Sequence, residues 1–137
     1  MNYWYFVESE HNWKQDKFNN FSHLGIDKKK FNLKKFSTGD KIVMHITGEK
    51  KVSDIRVITD DALHKLPKSF SYDRAFEYCL KTKSLFFLPK ENWIPMDKFI
   101  YDLSIFKNRL ATIGLAFFHA PIKLTKEDFD FMLTLMK

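Results

Sequence analysis

The side chains in this sequence that could do chemistry are aromatic rings and ammonium groups. Trp4, Trp13 and Trp93 offer large π faces. Eight lysines, at 28, 29, 30, 34, 35, 41, 50 and 51, stand against only Asp40 and Glu49 in the stretch that contains them, an excess of six positive charges. The remaining residues carry fifteen basic and fifteen acidic groups, so the net charge of +6 belongs entirely to residues 28–51. Rings that stack on a base and cations that hold its phosphates are what single-stranded or flipped-out nucleic acid requires. A solvated lysine-rich surface would give the same counts, so charge alone does not decide between them.

Catalytic patterns are missing from the sequence. Four glycines, at 25, 39, 48 and 114, form no Gly-rich phosphate loop or dinucleotide fingerprint, and there is no HExxH pattern. The histidines at 11, 23, 45, 64 and 119 have no ligand-like spacing. The single cysteine, Cys79, excludes an internal disulfide and reads as a buried, inert thiol. Asp60 and Asp61 read as helix caps. The sequence calls for no catalytic residue, no metal and no cofactor.

The elements that must position these groups follow from periodicity. In Lys41 to Thr47, Ile42, Met44 and Ile46 alternate with Val43, His45 and Thr47, the period of two of a strand with one buried side. A turn at Gly48 and Glu49 leads to a β-branched run, Lys51 to Thr59, and the pair reads as a hairpin. Before it, residues 3–8 (YWYFVE) suit a central strand buried on both faces. Residues 11–20 suit one or two helical turns capped by Asn12, and residues 21–30 suit a surface loop. After the hairpin, the pattern predicts a short helix over 60–67, a strand over 70–80 with Arg74 on its aromatic face, and a strand over 84–88. A helix over 95–106 built on Phe99, Leu103 and Phe106, a strand over 113–119, and a terminal helix capped by Thr125 complete the chain.

This order, without regular βα alternation, predicts an α+β fold on a small, partly open sheet or barrel of five or six strands flanked by short helices. The 137 residues fit one domain, 1–137. An apolar fraction of 45% with 15 Phe argues for a packed core. No apolar run approaches the roughly 20 residues of a spanning helix, so the expected setting is cytoplasmic, away from membranes. Trp4, inside an apolar strand, reads as core. Trp13, among the polar residues EHNWKQ, suits an exposed ring or a cavity wall as well as a buried one. Arg74 reads equally as a strand-edge cation over rings or as a cation facing a ligand.

Taken together, the start MNYWYFVESEHNW, a Leu-Gly-Ile segment, FSTGDKIVMHITGEKKVSDIRVIT, and the closing LSIFKNR and KLTKEDFDFML resemble the EVE domain, of the PUA-like superfamily and related in fold to YTH domains. The resemblance spans nearly the whole chain. It implies a PUA-like barrel with a pocket that accepts a modified base of RNA or DNA. By position, Ser9, Asn12 and Trp13 would border that pocket, with Gly25 and Ile26 in the following loop and His45 or Arg74 reaching it from the strands. Lys28, Lys29, Lys30, Lys34 and Lys35 would meet phosphate. The leading expectation is a non-enzymatic nucleic-acid-binding module. A small-molecule or nucleotide-binding domain is the alternative.

Overall fold

The computed structural model describes residues 1–73, 76–107 and 120–137. Its elements in chain order are β1 (Tyr3–Glu8), α1 (Glu10–Phe18), β2 (His23–Ile26), α2 (Lys28–Leu33), β3 (Lys41–Ile46), β4 (Lys51–Lys65), β5 (Tyr78–Phe87), β6 (Ile94–Pro95), β7 (Ile122–Leu124) and α3 (Lys126–Met136). The strands form one seven-stranded open sheet in the order β2-β5-β4-β3-β1-β7, with β6 added to β4. Among the described residues only β1 and β3 pair in parallel. The α+β architecture is the expected one, with seven strands among the described residues where five or six are expected.

Two apolar clusters sandwich this sheet, and the alternation of β1 and β3 feeds both. Trp4, Phe6, Ile42, Met44 and Ile46 face one cluster, which α1, β2 and Trp93 complete. Tyr5 and Val43 face the other, closed by Phe99, Leu103, Phe106 and the Phe129–Met132–Met136 face of α3. β3 is therefore buried on both faces, not on one. The parallel neighbour β1 explains this, since a strand in the middle of a sheet covered on both sides has no solvent face. At the start of β3, the buried Asp40 carboxylate accepts from the Asn2 amide, the Trp4 indole and the Ser37 amide, which ties the turn to β1.

Several expected elements are different, some because a distant partner takes the backbone groups and some because a neighbouring side chain caps the helix. Residues 60–65 do not form a helix; they extend β4, with His64 opposite Cys79, and the Asp60 side chain accepts from Ala62 N–H to stabilise a bulge. Residues 21–30 are not a loop: β2 pairs with β5, and Asp27 caps α2. The helix α1 is capped by Ser9, which accepts from Asn12 N–H at 3.1 Å, so Asn12 lies inside the helix. Regular pairing of β5 begins only at Tyr78. Phe99, Leu103 and Phe106 are buried as their spacing predicts, but on successive turns; the Asp128 carboxylate takes the Ser104 amide that a helix would have used. Thr125 caps α3 by accepting from Asp128 N–H. The expected strand over 113–119 and Arg74 lie outside the described residues.

Candidate functional site

The inward side of α1 is polar as well as apolar: Asn12, Trp13 and Asp16 are its buried residues. Asp16 meets Arg56 of β4, which is fully buried and holds three carboxylates. Its Nε donates to Asp54 at 2.6 Å, one terminal nitrogen to Asp16 at 2.7 Å and the other to Glu8 at 2.8 Å. The guanidinium lies 4.9 Å from the Phe21 ring centroid. Asp54 also accepts from Ser53 Oγ and from the Trp13 indole.

Three carboxyls share one guanidinium in this cluster, and the balance is struck by a proton. Burial first, and then the charge of Asp16, raise Glu8 well above the usual carboxylate range. Burial raises Asp16 as well, against the pull of Arg56. Burial alone would lower Arg56, but its three carboxylates outweigh that and hold it charged. The Glu8 carboxyl is buried, with one oxygen accepting from Arg56 and a hydrogen bond to Asp16 that helps hold its proton.

A loop before β5 closes over this cluster. The Tyr72 hydroxyl donates to Asp16 Oδ1 and accepts from Gly25 N–H at 3.2 Å. Its ring lies directly on Gly25, where a Cβ would collide with Tyr72 Cε2. The loop is pinned to α1 through polar contacts: Asp73 N–H to Asn12 Oδ1, Ser71 N–H to Gln15, Asn19 to the Ser69 carbonyl, and His11 to the Ser71 carbonyl. Thus Asn12 and Gly25 both meet the loop that carries Tyr72, while Ser9 caps α1 beside Asn12. Ile26 is buried behind them.

The outer side of α1 is different in kind. Trp13 is only 5% exposed and floors an open depression of about 510 Å³ walled by Glu10, Lys14, Lys17, Phe18 and Lys90. Lys17 Nζ sits 5.5 Å from the Trp13 ring and 5.4 Å from the ring of Phe87. Phe18 is 80% exposed and Phe87 44%. Lys83, Leu85 and Phe87, alternate residues of β5, are all exposed. Lys90 bonds Glu10 at 2.8 Å and lies 3.7 Å from Glu49 at the tip of the β3–β4 hairpin. Exposed rings and lysines therefore alternate over one surface.

The lysines of residues 28–51 are divided between α2 with its exit and the two ends of β3. Lys28 on α2 lies over Tyr78 at the start of β5, whereas Lys17 meets Phe87 at its end. Nine residues of strand separate those rings, or roughly 30 Å. Lys41 and Lys50 stand at opposite ends of β3. Lys34 and Lys35 follow α2. His45 does not reach either place. It faces the second apolar cluster, where its Nδ1 is 2.7 Å from the Tyr5 hydroxyl and burial lowers it to about 4. Sequence reasoning missed Lys14, Lys17, Phe18, Phe87 and Lys90. The signal was Phe18, five residues after Trp13 and so about 140° round the helix from it.

Cys79 is buried, and burial pushes its thiol up to about 11, which leaves it inert at neutral pH. Among the described residues no group of three His, Cys, Asp or Glu could hold a metal ion, and no helix is long and apolar enough to cross a membrane.

No family model matches this sequence, and no curated protein matches it. Solved structures do. The YTH domain of the Zygosaccharomyces rouxii MRB1 protein, in complex with N6-methyladenosine RNA, superposes with a TM-score of 0.68 at 7% identity over 99% of this chain and 86% of that one. A protein from Agrobacterium tumefaciens gives 0.62 at 14% identity, over 99% and 91%. One from Pseudomonas putida gives 0.63 at 12%, over 98% and 99%. At such identities the likeness is one of fold: this chain has the YTH-type, PUA-like α+β fold with an open sheet.

Proposed function

We propose that this chain is a nucleic-acid-binding module without catalytic activity of its own, and that it holds an unpaired strand across the outer side of α1 and the adjoining end of β5. The observation that carries this reading is the exposed Phe18 and Phe87 interleaved with Lys14, Lys17 and Lys90. Base-on-ring stacking contributes about 1–3 kcal/mol per base and tolerates any sequence, and flanking ammonium groups neutralise phosphates. The fold supports the same reading, since the Z. rouxii domain is in complex with RNA.

In this account the α2 lysines, Lys28, Lys29 and Lys30, with Lys34 and Lys35 beyond them, meet phosphates only of a strand long enough to run the length of β5. A base of that strand, modified or not, would be read near Asn12 and Gly25. Fluorescence anisotropy with labelled single-stranded RNA and DNA at several salt concentrations tests the proposal. Three phosphates neutralised at the α1 surface predict a slope of log K against log salt of about −2. Binding of free nucleotides that ignores salt, with no strand binding at low salt, would replace this reading with that of a nucleotide-binding domain.

A further inference from the structure

We propose that His23, Lys81 and His64 form a phosphate-binding site on the outer face of β2, β5 and β4, apart from the surface beside α1, and that protons tighten its hold on the anion. The site does not depend on the strand reading given above.

Strand register builds it. His23 stands opposite Lys81 in the β2–β5 pair, and Lys81 stands opposite Asp60 in the β4–β5 pair. Opposed residues of neighbouring strands carry their side chains on one face, with Cβ atoms about 5 Å apart. Leu24 and Leu80, the adjacent residues, turn into the apolar cluster that holds Trp13, so His23 and Lys81 turn away from it. Six residues of β5 separate Lys81 from Phe87, or roughly 20 Å.

Three observations mark the place as one for an anion. First, its carboxylate is already engaged. One Asp60 oxygen accepts from Ala62 N–H at 2.9 Å, and the other lies 3.1 Å from His64 Nε2. Lys81 forms no ion pair among the described residues, whereas Lys14, Lys90 and Lys126 each meet a carboxylate. Second, the His23 ring is fixed. Its Nδ1 is 2.8 Å from the Ser22 hydroxyl and it packs edge-to-face on the buried Phe70, which leaves Nε2 to a ligand. Third, the groups repel one another as they stand. Burial, and then the charges of Lys81 and His64, lower His23 from 6.5.

A phosphate between the rings and the ammonium would reverse that repulsion and favour the protonated imidazole. Both Lys81 Nζ and a protonated His23 Nε2 donate, and a tetrahedral oxyanion presents a separate oxygen to each. The other groups facing this row are few. Lys83, two residues along β5, adds an exposed ammonium. Asp60, held below the usual carboxylate range by Ala62 N–H, stays ionised, and burial keeps the Cys79 thiol neutral. With both rings neutral only Lys81 and Lys83 offset Asp60, and each ring that protonates adds a positive charge. By linkage, affinity for the anion then rises as pH falls through the histidine range.

The experiment follows the histidine ring resonances of the full chain by NMR as sodium sulfate or inorganic phosphate is added. Sulfate is the reference probe because it keeps both charges at every pH used. The His23 and His64 signals should saturate together, and sulfate affinity should rise about 10-fold between pH 7.5 and 5.5, as one more facing charge predicts. Lys81→Ala should weaken sulfate binding about 5-fold or more at both pH values. His23→Gln should keep the affinity seen at pH 7.5 and lose most of the rise. His23 signals that ignore sulfate at pH 5.5, or a rise that persists in full in His23→Gln, would overturn the proposal. Should His23→Gln not fold, an unchanged sulfate affinity in Lys81→Ala would do the same. Adenosine monophosphate and a short single-stranded oligonucleotide separate the sources of the phosphate, since the tighter of the two at His23 assigns the site to a free nucleotide or to a strand backbone. A His23 response to sulfate without strand binding by the wild type would leave this site standing and overturn the function proposed above; strand binding with His23 silent toward sulfate would overturn this site alone.

Discussion

Trp13 donates its indole N–H to Asp54, 2.9 Å away across 41 positions of sequence, and through Asp54 it joins α1 to the buried guanidinium of Arg56. The tryptophan that stands among polar residues is thus an anchor of the fold, and the aromatic surface available to a ligand belongs to its neighbours Phe18 and Phe87.

Trp13→Phe should keep the fold while leaving Asp54 short of one donor. Losing a buried hydrogen bond to a charged group predicts a destabilisation of about 2 kcal/mol in urea unfolding. Strand affinity of the folded variant should stay close to that of wild type. A variant of native stability that no longer binds would show instead that the Trp13 ring itself stacks on the ligand.

Glu8 is the carboxyl of the Arg56 cluster most strongly raised, so the native state keeps a proton that the unfolded chain releases above pH 4.5. The native state then binds more protons, and this residue's contribution to stability falls as pH rises from 4.5 toward its native value. Glu8→Gln removes that loss while keeping an oxygen for Arg56. It should be neutral or stabilising by about 1 kcal/mol at pH 7, with a flatter pH dependence, whereas an ionised Glu8–Arg56 bridge would cost about 3–5 kcal/mol on the same change.

His45 acts in the opposite sense. Burial lowers it from 6.5 to about 4, so the unfolded chain takes up a proton that the native state refuses. Stability from the neutral ring is present above pH 6.5 and is lost as pH falls toward 4, by about 3 kcal/mol in all. The difference in unfolding free energy between wild type and His45→Asn, followed from pH 7.5 to 4, should shrink by that amount. A difference independent of pH would contradict the assignment.

What was legible in the sequence was what neighbours decide. The alternation from Ile42 to Ile46 placed β3, and Thr125 with Asp128 placed the start of α3, because each signal is complete within a few residues. What was illegible depends on distant partners. Residues 60–65 carry cap-like aspartates yet pair as strand with Cys79 and Tyr78, and the fate of Trp13 was set by Asp54. The lysine count from 28 to 51 suggested one patch, but a six-residue strand holds its two ends apart. For the site, Asn12 and Gly25 meet the loop that carries Tyr72, a residue whose alternation with its neighbours over 70–80 predicts a strand. His45 faces the opposite cluster because its position in β3 is odd where Ile42, Met44 and Ile46 are even.

The proposed hold on the strand belongs to the rings and lysines beside α1. It is tested most directly by comparing Phe18→Ala and Lys17→Ala with the triple change of Lys28, Lys29 and Lys30 to alanine, using a short single-stranded oligonucleotide in anisotropy titrations. Loss of a stacked base predicts that Phe18→Ala weakens binding by about 1–3 kcal/mol, and Lys17→Ala should reduce the salt slope by about 0.7, while the triple variant leaves the short strand unaffected. Binding abolished by the triple change and untouched at Phe18 and Lys17 would contradict the account and move the interface to α2.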